Sequence, residues 1–579
     1  MFTMALLDSQ RKTTRRLPLA EWLAQEGLVH PRQLASVRSD PQYAGLSFGA
    51  ALIQSGLISR QDLLDSQARR FDLPAVHLRQ HPLSPDLVRK LPEALARRFH
   101  AIVLEERKDS LQVGVVNPED LLGQDELRRA LERPLRFAVV DEDDLLAILD
   151  SVYRRTDEIS SLAAELGNEV GRSYVLETLA EGADVNDAPV VRMLESIFED
   201  AIQVRATDIH IEPDRDVLRL RLRVDGILQE QIVREMHIAP ALASRLKMMA
   251  NLNISERRRP QDGHFSIHAR KRGATINVRL STLPGLHGES VVLRLLDQSV
   301  VAPRLDAIGM APDLVERVER ILHRSHGMLL VSGPTGSGKT TTLNAALTLL
   351  NRPGSKIVTI EDPVEYTLPR VTQVQVNPAI GVDFAAVLRG TLRQDPDVIL
   401  VGEMRDAETL AISLRAAMTG HMVLSTIHTN DAISAVTRML DMGAEPYLIA
   451  ASVDAVIGQR LVRKVCPYCS EPYEATSREQ AWLYTLPDAQ VDSLRRGRGC
   501  IRCNQTGYQG RIGVFEMLEI NDTLAQFIRQ GRLDDFYEEA SRQTDYQSMA
   551  DQAMRLAQSG VTTLSEVMRI RSDFRFQSS

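Results

Sequence analysis

The chain has 579 residues, 44% of them hydrophobic and 25% charged, and a formal net charge of −8. Such a length is too great for one core and calls for roughly three to five domains at about 150 residues each. The modestly acidic balance excludes a global electrostatic pull toward nucleic acid or anionic lipid, and no stretch reaches the roughly 18 uninterrupted apolar residues of a membrane-spanning helix.

The opening text MFTMALLDSQRKTTRRL lacks an apolar core followed by a small-residue cleavage site, so a cytoplasmic protein is expected. LAEWLAQEGLV (19–29) and FGAALIQSGLI (48–58) repeat one pattern at an offset of 29 residues, each followed by a polar turn and a new helix start, HPRQL and SRQDL. This predicts two helix–turn–helix units packed on each other. A strand candidate, LQVGVV (111–116), among amphipathic helices closes a first domain over 1–156. Residues 157–188 are acidic, lack a strong apolar stripe and read as a helical or flexible linker.

A second domain spans 189–302. RLRLRV (219–224) alternates, placing Leu218, Leu220, Leu222 and Val224 toward a core and Arg219, Arg221 and Arg223 on the other face. The Asp-Gly pair at 225–226 turns the chain into ILQEQIV, a hairpin, and ATINVRL (274–280) and SVVLRLL (290–296) extend the sheet. The bland reading of such arginines is a solvated face.

A third domain, 303–460, contains GMLLVSGPTGSGKTTTLNAAL (327–347), which reads as a buried strand, a glycine-rich loop and a helix start. That is the context in which G-x-x-x-x-G-K-[ST] cradles a triphosphate. Gly333, Pro334, Thr335, Gly336, Ser337, Gly338, Lys339, Thr340 and Thr341 form the expected nucleotide-binding set. Glycines let backbone N–H groups approach phosphate, Lys339 reaches the β and γ phosphates, and Thr340 offers a hydroxyl to Mg²⁺. Two further strands end in acids: KIVTIEDPVEY (356–366) delivers Glu361, Asp362 and Glu365, and DVILVGEMRD (397–406) delivers Glu403. One acid near Mg²⁺ and one polarising water is the minimum set for hydrolysis of ATP to ADP and phosphate. MVLST (422–426) is flanked by His421 and His428, either a γ-phosphate sensor or a pair of structural hydrogen bonders.

The last segment, 461–579, holds the only four cysteines, as CPYC and CIRC. Cys466, Cys469, Cys500 and Cys503 make two chelating pairs, and four thiolates fill a tetrahedral Zn²⁺ with no open position, which predicts a structural zinc module rather than free thiols.

Taken in order, ATDIHIEP (206–213), RLRVDGILQE, ERRRPQDGHFSI (256–267), GPTGSGKTTT, IEDPVEY, LRQDPDVILVGEMRD, TGHMVLSTIHTND (419–431) and the paired CxxC resemble the GspE/PilB family of secretion and type IV pilus assembly ATPases. Within it, YRRTDEI (153–159), LHGESVVLRLLDQS and VTQVQVNPAIGVDF are similar to the MSHA-type pilus extension ATPases. The resemblance implies a multidomain α/β chain with an N-terminal helical domain of the MshEN type, a PAS-like α/β sheet domain, a RecA-like P-loop lobe and the tetracysteine module. It implies a cytoplasmic homohexamer, peripheral at the inner membrane through a platform protein, with each site between one subunit's lobe and its neighbour's sheet. It assigns Glu361 as water activator, Glu403 as Walker B acid, His421 and His428 as the histidine box, and Arg279 and Arg294 as γ-phosphate arginines.

The 29-residue repeat is similar to the tandem motif that binds cyclic di-GMP in MSHA-type ATPases, but its expected arginine is Pro18 in one copy and Ser47 in the other, and later positions fall on Arg38, Pro41, Gln67 and Arg70. The fold carries over; the ligand does not follow from these residues. The same engine could serve a type II secretion system. A RecA-like nucleic-acid translocase is the alternative from another class, opposed by the acidic charge and only 4% aromatic residues.

Overall fold

In the computed structural model the described residues are 17–39, 48–78, 81, 83–153, 156–170, 189–269, 274–297, 304–484, 493–543 and 545–575. The chain divides into two compact units, one of residues 1–154 together with Cys500–Gln505 and a larger one of residues 155–499 and 506–579.

The N-terminal repeat is visible as structure. Helices Leu19–Gln25 and Pro31–Ser39 are followed by Phe48–Gln54 and Arg60–Phe71, so each helix of the second pair starts 29 residues after its counterpart in the first. Leu23 matches Leu52, Val29 matches Ile58, Leu34 matches Leu63, and all six are buried in one cluster. Gly27 and Gly56 both turn the chain at φ 72°, a conformation that costs glycine nothing. Beyond the repeat lies a three-stranded sheet, β1 (Ala101–Glu106), β2 (Leu111–Val115) and β3 (Leu135–Val139), with β2 central as LQVGVV foretold.

The sheet domain is antiparallel throughout. Its strands are β4 (Asp208–Pro213), β5 (Leu218–Val224), β6 (Ile227–Val233), β7 (Gln261–Ala269), β8 (Ala274–Gly285) and β9 (Gly288–Asp297), in the order β6-β5-β4-β9-β8-β7. Leu218, Leu220 and Leu222 are buried as the alternation requires, and Asp225 and Gly226, at φ 49° and 85°, make the hairpin turn. The covering helices include Pro189–Gln203 and Thr156–Val170. The second begins the segment read as a linker: Ile159, Leu162, Ala163 and Leu166 form an i, i+3, i+4, i+7 stripe buried in the sheet-domain core, which the acidic composition around it concealed. Residues 171–188 lie outside the described residues.

The third sheet has seven strands: β10 (Gly327–Ser332), β11 (Ile357–Glu361), β12 (Val371–Gln375), β13 (Val398–Val401), β14 (Met422–Ile427), β15 (Val453–Val465) and, after a small ribbon of β16 (Ser470–Tyr473) and β17 (Leu494–Gly497), β18 (Tyr508–Glu519). Their order is β12-β11-β13-β14-β10-β15-β18, parallel except for β18. β10, β11, β13 and β14 are wholly buried, as both-face coverage by helices demands. The expected boundary at 460/461 falls inside β15, because this strand is shared by the P-loop sheet and the C-terminal segment.

Candidate nucleotide-hydrolysis site

In a parallel sheet the carboxyl ends of the strands gather on one edge. Here Ser332 pairs with Ile427 and Ile360 with Val401, so the loops after β10, β11, β13 and β14 converge. Gly333, Gly336 and Gly338 have φ of 151°, 80° and 89°. A Cβ on Gly333 would lie 2.6 Å from the Gln459 carbonyl oxygen, and one on Gly338 would lie 2.9 Å from Gln459 Nε2. At Gly333 and Gly338 the loop therefore rests on β15 with no room for a side chain. Helix Lys339–Leu350 follows directly. Lys339 is buried, and its ammonium donates to the carbonyls of Gly333 at 2.8 Å and Pro334 at 3.1 Å. Burial pushes its pKa down to about 8, against the opposing pull of Glu403.

Glu361 ends β11, buried, with Oε1 accepting from Thr359 Oγ1 at 2.6 Å and Gln373 Nε2 at 3.0 Å. Glu403 pairs with Arg405 and lies 3.5 Å from His428 Nε2. Burial and then Lys339 push the His428 pKa down, so the ring is neutral near pH 7. Burial and the adjacent Glu361 push Glu365 above the usual carboxylate range, opposed by Arg294 and Arg279. Within a single chain the charges of both sheet arginines thus already bear on the acid box.

These arginines belong to a row. Arg223, Asp208, Arg294, Arg279 and His264 are direct cross-strand partners on β5, β4, β9, β8 and β7, all on one face. Asp208 accepts from Arg294 Nε at 2.9 Å and lies 3.7 Å from Arg223 Nε, so one acid steadies two cations. Arg279 is exposed.

His421 does not join the site. It precedes β14, beside Gly327 at the start of β10, and its Nδ1 bonds the Ala416 carbonyl at 3.0 Å. Strand β14 separates it from His428 by roughly 20 Å at about 3.3 Å per residue. Of the two histidines, only His428 sits where a γ phosphate could be sensed.

The residues present fit ATP and a divalent cation. Gly336 has open space where a side chain would be, and among the described residues the buried Ser337 hydroxyl has no hydrogen-bond partner. Thr340 and Glu403 supply the hard oxygens Mg²⁺ prefers. Beside the loop lies a cavity of about 270 Å³ lined by Thr335, Gly336, Arg460, Arg463, Arg511 and Asp225. The sequence reading assigned no role to Gln459, Thr342, Gln373 or Asp208, each of which acts through a partner distant along the chain.

The four cysteine sulfurs lie within 4.8 Å of one another, and Cys466, Cys469 and Cys503 are buried. Tetrahedral zinc with Zn–S of about 2.3 Å requires sulfurs roughly 3.8 Å apart, and Cys500 Sγ to Cys503 Sγ is 3.6 Å. The Cys500 amide donates to Cys503 Sγ at 3.2 Å, support suited to a thiolate. The donor set fits a closed zinc site.

In the N-terminal unit, Pro18, Gln67 and Arg70, three positions of the degraded tandem motif, line one cavity with Phe71 and Glu119. Arg70 is the one cation among the described residues of that lining, and it is already paired with Glu119 at 2.6 Å and bonded to the Leu17 carbonyl at 2.8 Å. Among the described residues this lining offers one cation, already paired, where the two phosphates of cyclic di-GMP call for more.

Among the described residues no helix is long and apolar enough to cross a membrane. A family model for the Type II/IV secretion system protein matches residues 183–569, and one for the MshEN domain matches 71–159. The type IV pilus assembly ATPase PilB of Myxococcus xanthus is 35% identical over 565 residues, covering 96% of this chain and 99% of its own length. The type II secretion system ATPase E of Vibrio cholerae is 39% identical, covering 85% and 98% respectively. A crystal structure of the pilus retraction motor PilT with bound ADP aligns at 26% identity and a TM-score of 0.45, covering 66% of this chain and 98% of that one. A P-loop with acids at neighbouring strand ends, matched over two thirds of the sequence by one family model, places this chain in the family of Type II/IV secretion system ATPases.

Proposed function

We propose that this ATPase works as a hexamer that powers assembly of an MSHA-like type IV pilus, passing motion between its sheet domain and P-loop lobe to an inner-membrane platform protein. The observation that carries the motor reading is the arginine row: Arg279 and Arg294 are direct cross-strand partners on the sheet domain, beside Asp208, and their charge opposes the raised pKa of Glu365 just beyond β11. Charge developing on a transferred phosphoryl group would draw those guanidiniums in, so that hydrolysis and the spacing of the two domains change together.

Glu361 is the proposed water activator, Glu403 the acid near Mg²⁺, Lys339 the phosphate ligand, and Cys466, Cys469, Cys500 and Cys503 the zinc ligands. The pilus assignment is supported by the MshEN match and by the full-length PilB relative. Type II secretion is favoured by a different observation: a secretion protein E of Pseudomonas aeruginosa is 43% identical over 453 residues, and one of Xanthomonas campestris is 37% identical over 561. Deletion of the gene decides between them. Loss of surface pili with normal secretion supports the first reading, and retention of secreted enzymes with pili intact supports the second.

A further inference from the structure

The loop after β14 carries His428 and then folds back over the P-loop strand. The Ser332 hydroxyl donates to the Asp431 carbonyl at 3.2 Å, and Arg460 donates to Asn430 Oδ1 at 3.0 Å. The next residue, Ala432, donates its amide to Glu516 Oε1 at 2.8 Å.

Glu516 stands on β18, two strands from β10, and reaches the loop by passing over Gly458 of β15, its direct cross-strand partner. A Cβ on Gly458 would come within 2.7 Å of Glu516 Cγ and Oε1 and 3.1 Å of the Ala432 amide, so the passage exists because residue 458 has no side chain. The other oxygen accepts the amide of Met549, first residue of helix Met549–Gln558, at 3.1 Å, and Tyr546 donates its hydroxyl to the same carboxylate.

Glu516 is 2% exposed. Burying a carboxyl there is costly, and an apolar residue would hold β18 in the sheet at less expense. What an apolar residue would not do is accept hydrogen bonds from two backbone segments at once. The ionisable groups facing Glu516 are Asp431 from the loop and Tyr546 from the segment before the helix, with Asp551 beyond Tyr546. Burial and the like charge of Asp431 push the carboxyl up to about 7, so it changes protonation in the range where such enzymes work.

We propose that Glu516 is a positioning residue for ATP hydrolysis: gripping Ala432 with one oxygen and Met549 with the other, it holds the 428–432 loop against the P-loop strand and couples that loop to the C-terminal helices. This rests on the reading that Glu403 and His428 belong to the reacting site.

The test is the ATPase pH profile, from about pH 6 to about pH 9, of the full chain and of Glu516→Gln, Tyr546→Phe and Glu403→Gln. Ionised Glu516 accepts from both amides, whereas the protonated acid and the Gln amide each present a donor to one of them. Wild-type kcat is expected to rise as pH climbs through about 7, while Glu516→Gln stays about tenfold below the wild-type plateau with that rise absent and KM for ATP within about twofold. Tyr546→Phe removes one donor to the carboxylate and is expected to move the acid limb to higher pH.

The proposal is overturned if Glu516→Gln keeps the wild-type profile, or if KM rises by the factor by which kcat falls. Should Glu516→Gln fail to fold, an unmoved acid limb in Tyr546→Phe overturns it equally. Glu403→Gln is expected to lose turnover. If it does not, the reading of the reacting site fails, while the Glu516 profile still reports on the loop.

Discussion

The Thr342 hydroxyl donates to Gln459 Oε1 at 2.8 Å, with both side chains buried. This bond joins the first turn of the P-loop helix to β15, the strand against which Gly333 and Gly338 lie too close for any Cβ. Replacing Gln459 by Leu keeps the volume and leaves the Thr342 hydroxyl buried without its acceptor. Stability is expected to fall by about 1–3 kcal/mol, read from the midpoint of denaturant unfolding, with weaker binding of a fluorescent ATP analogue.

Lys339 now spends its ammonium on two loop carbonyls, a parking arrangement that a triphosphate would replace. Lys339→Ala is expected to lower turnover by on the order of 10²–10³-fold in a phosphate-release assay, with the circular dichroism spectrum unchanged.

The arginines should divide binding from turnover. Arg279→Ala and Arg294→Ala are each expected to reduce kcat by on the order of 10³-fold while changing nucleotide Kd by no more than about threefold, as groups that meet developing γ-phosphate charge do. Asp208→Asn weakens the anchor of Arg294 without removing the cation. Its expected loss is smaller, about tenfold in kcat, and equal losses in all three variants would contradict a direct role for the guanidiniums.

Elemental analysis of the purified chain is expected to find one zinc per subunit, absent in Cys466→Ser. Because the ligands come from two chelating pairs about 30 residues apart, metal and local folding should be linked. Treatment with a strong chelator is expected to lower the melting temperature of the wild type and not of the variant.

Glu566 tests the C-terminal segment by pH. It is 2% exposed and bonded to the Arg463 side chain at 2.9 Å and backbone amide at 2.9 Å. Burial alone would raise its pKa, but the Arg463 bonds and the Arg569 charge prevail and hold it below the ordinary 4.5. A carboxyl depressed in the folded state stabilises above its unfolded value, and the contribution is lost as pH falls through the folded value. Glu566→Gln is therefore expected to melt lower than wild type near neutrality, with the gap closing below about pH 4. A gap constant with pH would contradict the ion pair as its source.

Much of the site is local and therefore legible in the linear text. The P-loop needs one strand, one turn and one helix start, and eight consecutive residues from Gly333 to Thr340 carry all of that information. The same holds for the Asp225–Gly226 hairpin, for the chelating cysteine pairs and for the 29-residue repeat whose buried leucines recur in register. The loop, the hairpin and each cysteine pair depend on residues within a few positions of one another, and the repeat shows because one local pattern recurs.

What the tertiary structure decided involves direction and distance. His421 and His428 bracket the same strand and look equivalent in text, yet a strand has two ends and only one of them faces the nucleotide edge. The helix Thr156–Val170 looked like a linker because its stripe is short and its neighbours acidic; only the sheet it covers shows where that stripe goes. Gln459 lies 120 positions beyond Lys339, and Glu516, 84 positions beyond Ala432, reaches it across the intervening Gly458. A side chain that acts through a partner so distant leaves no periodicity and no local motif, because its role is set by which strands neighbour one another in the sheet.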